Sequence, residues 1–167
     1  MQCRRALARP PAFVSYQLLT HKLMSTIHTE DMQRAREQAA AQLASIEDMV
    51  TCLDHARECD NTACGADCPH DEDEAREAIT ADALDVQVRG EWHTPGALDG
   101  AAPYEYKIML CWGGPAVQIM GTLDNFNQPD SARLQYQDWF TEWMDYPLTK
   151  TEEETLLTYA QQFYFDE

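Results

Sequence analysis

The stretch YEYKIMLCWGGPAVQIMG, residues 104–121, decides the fold class that we expect for this chain. Apolar and polar side chains alternate from Tyr104 to Trp112, which is the period of a β-strand with one buried face. The alternation resumes after the Gly113–Pro115 turn and ends at Leu123. A connection this short joins antiparallel strands, since a parallel pair needs a long crossover. The stretch therefore predicts two adjacent antiparallel strands.

Two further segments with the same alternation flank this pair. They are residues 84–92 and 132–140, and the loops between the segments are rich in Gly, Pro and Asn. The four segments together predict a four-stranded antiparallel meander with one covered face. We expect a C-terminal helix to cover that face, because Thr151 and Glu154 match the capping-box pattern T-x-x-E that begins helices.

The N-terminal half is predicted to be helical. No Gly or Pro interrupts the chain from Thr29, a potential N-cap, to about Glu58, and a shorter helix is expected from about Asp71 to Ala81. The long helix carries a narrow apolar seam that could pair within the chain, with a second copy as a homodimer, or with the sheet. The seam consists of Met32, Ala35, Ala39, Leu43, Ile46, Val50 and Leu53.

The expected fold class is α+β, in which a long and a short helix precede a four-stranded antiparallel meander closed by a C-terminal helix. Residues 24–80 form the acidic helical region, and residues 81–167 form the sheet and its helix. Residues 1–23 hold four basic and no acidic residues. We expect them to be a disordered extension or a misplaced gene start, with Met24 as the true first residue. The alternatives are a structured arm and a transit-type targeting segment.

Charge is the strongest indication of function in this sequence. The chain has 29 acidic and 12 basic residues, and residues 24–167 alone carry a net charge of −21. Such a surface repels nucleic acid and anionic membranes and attracts basic proteins. We therefore expect a basic protein partner, no direct nucleic-acid contact and no membrane. The expected acidic contact residues are Glu47, Asp48, Asp54, Glu58, Asp71, Glu72, Asp73, Glu74 and Glu77.

Aromatic residues are concentrated after residue 90, and they are more numerous than one face of a small sheet can bury. Alternation places Trp139 on the opposite face of the predicted strand from Tyr136 and Phe140. Trp139 and Trp143 are therefore candidates for an exposed aromatic patch that anchors a protein partner. The alternative is a second apolar cluster, packed against the N-terminal helix.

Four strings in the C-terminal half resemble a known family. They are EWHTPG at 91–96, LCWGGPAVQIMG at 110–121, LQYQDWF at 134–140 and QQFYF at 161–165. They look like a family of small acidic, mostly uncharacterised accessory proteins of bacteriophages, plasmids and integrated mobile elements of proteobacteria. The resemblance spans about residues 75–167 and is weaker over the long helix. It implies a mobile-element context, where accessory genes often encode anti-CRISPR or anti-restriction proteins, and it favours the Met24 start.

One cluster in the polar segment between the helices has metal-ligating side chains. Cys59, Cys64, Cys68 and His70 are the candidate ligands of a structural zinc ion. Their spacing contains no C-x2-C pair, and reduced cysteines or disulfides are the alternatives. We expect no other cofactor.

The sequence contains no catalytic motif. The Gly113–Pro115 turn lacks the G-K-[ST] ending of a phosphate-binding loop. Cys111, His93 and Asp138 have the side-chain types of a hydrolase triad, but no nucleophile-elbow sequence surrounds Cys111. We therefore expect no enzymatic activity.

These observations predict a non-enzymatic inhibitor in the bacterial cytoplasm. It would bind a basic, nucleic-acid-binding surface of a host defence complex, either as a DNA mimic or by direct blocking. The alternative is a regulatory adaptor or oligomerising module that pairs through the Met32–Leu53 seam.

Overall fold

The computed structural model describes residues 12–58, 71–90, 103–139 and 141–165, with side chains described from residue 29 onward. Within these residues the fold is α+β, as predicted. The elements are α1 (Ala12–Glu58), α2 (Glu72–Asp82), β1 (Asp85–Arg89), β2 (Glu105–Cys111), β3 (Ala116–Thr122), β4 (Arg133–Gln137), β5 (Met144–Asp145) and α3 (Lys150–Ala160).

In the described part of the chain the sheet is a five-stranded antiparallel meander in the order β1-β2-β3-β4-β5. The predicted count of four strands is wrong because β5 has only two residues, too few for an alternating pattern to be recognised. The fourth strand ends at Gln137, and Phe140, its predicted last residue, lies outside the described residues. The strands of the decisive stretch pair as predicted, with Ile108 opposite Ile119.

The apolar seam of α1 packs within the chain. Ala35, Ala39, Ile46 and Leu53 are fully buried, in one core with side chains of α2, α3 and the sheet. The seam is therefore used within the chain, one of the predicted alternatives, and of its seven members only Met32 is partly buried instead of buried. The homodimer through the Met32–Leu53 seam stays a prediction. The C-terminal helix was predicted to cover the sheet, and this is corrected: α1 contacts β3 and β4, and α3 contacts β4.

The helix starts differ from the predicted ones. Helix α1 begins at Ala12, so Thr29 lies inside the helix and not at its N-cap. Residues 12–23, which belong to the predicted N-terminal extension, are part of this helix. No Gly or Pro precedes Thr29 in residues 12–28 to stop a helix there. Residues 1–11 lie outside the described residues.

The capping box of α3 is formed by Thr149 and Glu152, two residues before the predicted pair. Both pairs match T-x-x-E, and Leu148, directly before the capping Thr149, packs against the core. The N–H and hydroxyl of Thr149 lower the pKa of Glu152 by hydrogen bonding to its carboxylate. Helix α2 starts as expected, with the Asp71 side chain accepting from the N–H of Asp73 at 2.9 Å.

Several apolar side chains of the strands and helices lie on the surface. Val86 and Val88 are 37% and 40% exposed on β1, which pairs only with β2 among the described strands. Ala78 is exposed on α2, and Tyr164, 75% exposed, follows the end of α3. Tyr159 takes the inward position instead, fully buried, with its hydroxyl donating to Asp82 Oδ2 at 2.8 Å. Burial, together with the charge of Asp82, raises the pKa of Tyr159.

The described helices contain no apolar stretch long enough for a membrane span.

Candidate functional site

The predicted acidic contact residues lie on α1 and at α2, and we call them together the acidic helical surface. All nine are exposed except Glu72, which is half-buried. Four come from α1 and five from the cap and body of α2, two helices that pack against each other. The structure therefore brings the two acidic segments of the sequence onto neighbouring elements. Their members are Glu47, Asp48, Asp54 and Glu58 on α1, and Asp71, Glu72, Asp73, Glu74 and Glu77 at α2.

Three of the α1 carboxylates form a stripe. Glu47, Asp54 and Glu58 are spaced by seven and four residues, which places them within about 40° of one another around the helix axis. The stripe extends over about 16 Å at the α-helical rise. Ile46 and Leu53 on the buried side of the same helix hold the stripe in place. We call these three residues the acidic stripe.

Two arginines lie among these carboxylates. Arg57 contacts Asp54 at 3.3 Å and Glu72 at 3.2 Å, so it joins α1 to α2. Arg76 contacts Glu72 at 2.7 Å and Asp73 at 3.6 Å. Exposed pairs such as these contribute at most about 1 kcal/mol each, so they organise the surface more than they stabilise it. Among the described residues, no ion pair involves Glu47, Asp48, Glu74 or Glu77.

Part of the acidity at α2 has a local structural role. Asp71 caps the helix, and Glu72, Asp73 and Glu74 occupy its first turn, where the helix dipole favours negative charge. The N-terminus of the helix is therefore sufficient to explain why these four residues are acidic. The acidic stripe of α1 lies far from the helix N-terminus, so the dipole gives no reason for its charge. The stripe is therefore the stronger candidate for partner contact.

A second candidate surface lies at one end of the sheet. Strand register brings the last residue of β4, Gln137, opposite the first residue of β3, Ala116. Trp112, which follows β2, and Trp139, which follows β4, are consequently at the same end of the sheet and are 63% and 64% exposed. We call Trp112, the Gly113–Pro115 turn and Trp139 the aromatic surface.

The indole of Trp139 rests on Gly114. A Cβ added at Gly114 would lie 2.0 Å from Trp139 Cδ1 and 2.1 Å from Nε1, and 2.7 Å from Asp138 Oδ1. Only glycine leaves room for this contact. The turn between β2 and β3 thus contacts the tryptophan that follows β4, so that residues distant in sequence form one surface.

Asp138 is buried beneath this surface, with 3% of its area exposed. Its Oδ1 accepts the N–H of Trp139 at 2.6 Å, and its backbone N–H donates to Thr141 Oγ1 at 3.0 Å. Its other carboxylate oxygen, Oδ2, accepts no hydrogen bond, and it is the one buried side-chain N or O atom without a partner in the described part of the chain. Buried carboxylate oxygens are normally hydrogen-bonded, so this atom requires an explanation.

The two tryptophans predicted as an aromatic patch differ in exposure. Trp139 is exposed as expected, whereas Trp143 is half-buried. The sequence did not predict that Trp112 is exposed, because alternation places it on the same face of the strand as the buried side chains of Tyr106 and Ile108. The register shift between Met109 and Cys111 ends that alternation before Trp112. A tryptophan directly before Gly-Gly-Pro was the signal that could have indicated a turn position instead of a strand position.

The zinc candidates Cys59, Cys64, Cys68 and His70 lie outside the described residues, as does His93 of the hypothetical triad. Among the residues that the structure describes, no group of three or more His, Cys, Asp or Glu side chains could hold a metal ion. Cys52, near the zinc candidates in sequence, is an exposed thiol on α1.

Cys111 is a half-buried thiol at the end of β2. Its Sγ lies 3.8 Å from the carbonyl oxygen of Pro115. Burial raises the pKa of Cys111, against a smaller opposing effect of the Val117 backbone. A nucleophilic cysteine needs the opposite shift, because the thiolate is the reactive form. The environment of Cys111 is that of a small packed side chain.

We expect Cys111 to react with iodoacetamide more slowly than Cys52 at pH 8. A raised pKa leaves a smaller thiolate fraction at any pH below it, and partial burial also limits access. Peptide mapping by mass spectrometry after timed alkylation measures both rates in one sample. Equal or faster modification of Cys111 would contradict this assignment and would restore it as a candidate nucleophile. Unfolding in urea should abolish the difference, which serves as the control.

Comparisons of the chain with protein-family models, with curated proteins and with solved structures found no match.

Proposed function

We propose that this protein is a non-enzymatic inhibitor from a mobile genetic element, acting in the bacterial cytoplasm. It binds a basic, nucleic-acid-binding surface of a host defence complex of the CRISPR or restriction type and denies that surface to nucleic acid. The observation that carries the proposal is the acidic stripe, an exposed row of carboxylates on a helix whose opposite face is buried in the core. The mobile-element origin rests on the resemblance of the C-terminal strings.

The burial of α1 supports the proposal because it fixes the carboxylates before a partner arrives. Ile46 and Leu53 are fully buried next to Glu47 and Asp54 in sequence. A helix held in this way does not need to be ordered on binding, so less conformational entropy is lost. The net charge of −17 adds long-range attraction to a basic partner and speeds the encounter.

The density of charge favours blocking over close imitation of duplex DNA. The acidic stripe presents three carboxylates over about 16 Å, whereas duplex DNA carries about ten phosphates over that length. The whole acidic helical surface has nine carboxylates and two arginines, a net charge of −7. A partner groove evolved for phosphates would be occupied by these carboxylates without being matched charge for charge. DNA mimicry in the strict sense is therefore the weaker form of the proposal.

A regulatory adaptor is the second candidate. The form that pairs through the seam is the less supported one, because most residues of the seam are buried within the chain. The exposed Trp112 and Trp139 favour a different form, in which the aromatic surface anchors a partner. Such an adaptor would bind independently of the acidic stripe, so substitutions in the stripe distinguish the two functions.

Charge reversal of the acidic stripe tests the proposal. The protein is produced in bacterial hosts carrying an active CRISPR or restriction system, and the plating efficiency of a targeted phage is measured. The wild type is expected to raise plating efficiency in one of these hosts. The variant Glu47→Lys, Asp54→Lys, Glu58→Lys should lower that gain by about 100-fold, because each lysine repels the basic groove.

The matched control reverses three other exposed carboxylates, Glu142→Lys, Glu153→Lys and Glu154→Lys, with the same change in net charge. It should keep most of the gain in plating efficiency. Circular dichroism verifies that both variants fold. Equal loss in both variants would show that inhibition depends on the net charge of the protein and not on the position of the stripe. No gain from the wild type in any such host would refute the proposed function.

A further inference from the structure

We propose that two copies of this chain pair through the outer edge of β1, so that their sheets join into one antiparallel sheet about a two-fold axis. The inference goes beyond the proposed function and does not depend on it. Three observations meet on this strand: an edge paired on one side, a row of exposed apolar side chains, and an order of charges that is complementary to itself.

The position of β1 in the sheet is the first step. Within the residues that the structure describes, β1 pairs with β2 alone. Alternate residues of an edge strand direct their N–H and C=O groups away from the neighbouring strand, so these groups are available to a further strand. Strand β5, at the other edge, has only two residues, whereas β1 has five. Strand β1 is therefore the edge with the backbone length for pairing.

The exposed apolar side chains of this edge are the second step. Val86 pairs with Ile108 and Val88 with Tyr106, so the two valines are on the face of the sheet that carries the core. They are nevertheless 37% and 40% exposed, and Leu84, on the same face by alternation, is 58% exposed. The core thus reaches β1 without being covered there. A further strand with apolar side chains on this face would extend the core over them.

The order of charges selects a second copy as that further strand. Strand β1 reads Asp-Val-Gln-Val-Arg. In an antiparallel pair centred on Gln87, Asp85 of each copy lies opposite Arg89 of the second copy, and Val86 lies opposite Val88. Opposite charges and β-branched side chains are favourable cross-strand partners. No other antiparallel register brings the two charges opposite each other, so the strand specifies both its partner and its register.

The two charged groups can pair across this interface while keeping their contacts within the chain. The Arg89 side chain is ion-paired with Glu105 of β2 and is still 68% exposed. Its guanidinium has five N–H donors, more than one carboxylate can use. Asp85 accepts from Gln87 Nε2 at 2.7 Å through Oδ2, and a carboxylate has further acceptor capacity for a guanidinium.

The net charge of −17 opposes self-association and gives this dimer a distinctive salt dependence. Repulsion between the copies is screened as the Debye length falls from about 10 Å at 0.1 M salt to about 3 Å at 1 M. The exposed Asp–Arg pairs also weaken with salt, but such pairs contribute little, and the backbone hydrogen bonds and apolar contacts remain. The dimer should therefore become stronger as salt rises.

Sedimentation equilibrium of the purified full chain measures this association. Five paired residues bury much less than the roughly 1,200 Å² of a stable interface, so we expect a dissociation constant on the order of 100 µM in 1 M NaCl. Association should be about ten-fold weaker in 0.1 M NaCl. Hydrogen–deuterium exchange locates the interface, since dimer formation should protect the backbone amides of residues 85–89 and leave those of α1 unchanged.

Charge changes at the two ends of β1 test the register. Asp85→Arg should weaken the dimer about ten-fold, because two arginines then face each other, although the net charge becomes less negative. Arg89→Asp should weaken it as well. A mixture of the two variants should associate better than either alone, because each arginine meets an aspartate again. Glu142→Arg, an exposed carboxylate with the same change in net charge, is the control and should not weaken the dimer.

Circular dichroism verifies that the variants fold. If Asp85→Arg does not fold, Arg89→Asp carries the test alone, with Lys150→Asp as its control for net charge. A chain that stays monomeric at about 1 mM in 1 M NaCl would overturn the inference. So would protection of α1 in place of β1, association of the variants equal to that of the wild type, or a mixture that associates no better than its components.

Discussion

The Ile46→Asp variant is expected to lose its cooperative unfolding transition at 25 °C. Ile46 is fully buried in the core between α1 and the sheet, so the aspartate would be placed among apolar side chains without a partner. A buried unpaired charge, added to the lost apolar contact, costs more than about 4 kcal/mol, a large part of the stability of a domain this size. Thermal denaturation followed by circular dichroism, with gel filtration, measures the loss.

The neighbouring exposed residue provides the control for this variant. Glu47→Ala changes a solvent-facing side chain of the same helix turn and should alter the free energy of unfolding by no more than about 0.5 kcal/mol. A folded, monomeric Ile46→Asp protein of normal stability would contradict the packing of the seam within the chain. That outcome is the one expected if the seam instead joined two copies.

The second large effect is expected for Gly121→Ala, with a loss of about 3 kcal/mol in the free energy of unfolding. A Cβ at this position would lie 2.0 Å from the backbone oxygen of Ser131 and 2.5 Å from Tyr106 Cε1. Tyr106 is 1% exposed, donates its hydroxyl to Ser131 at 2.8 Å and packs on Phe165 with ring centroids 4.9 Å apart. Neither neighbour can move without opening the sheet or the core. Urea denaturation measures the loss.

Gly114→Ala is the matched comparison for Gly121→Ala. Its Cβ would be even closer to side-chain atoms, but the nearest of them belong to the exposed indole of Trp139. The listed neighbours of Gly114 are side-chain atoms, whereas Gly121 faces a backbone oxygen, so we expect a smaller loss of stability for Gly114→Ala, with a change in tryptophan fluorescence. Similar losses for the two variants would contradict this difference between a side-chain and a backbone neighbour.

Local patterns in the sequence predicted the secondary structure where one face of an element is consistently buried. The alternation from Tyr104 to Leu123 gave two strands in the correct pairing, and Asp71 was placed correctly at the start of α2. The errors are at element ends and edges. Thr149 and Thr151 match the same capping pattern, and β5 is too short to show any period. In both places the local sequence fits more than one structure, and packing decides.

The candidate sites divide in the same way. The exposure of Glu47, Asp54 and Glu58 could be predicted because helical spacing alone separates them from the apolar seam. The aromatic surface could not, since it joins Trp112, Gly114 and Trp139 through the pairing of three strands. The unpaired oxygen of Asp138 is invisible to any pattern, because burial of one carboxylate depends on the loops around it.

By itself, the sequence determined the α+β class, the acidity of the helices and the position of the apolar seam. These follow from composition and from the periods of 3.6 and 2 residues, which each segment carries independently of the others. Only the tertiary structure decided what covers the seam and which tryptophans face solvent. Those outcomes depend on contacts between segments far apart in the chain, and no local period encodes which surface another element will cover.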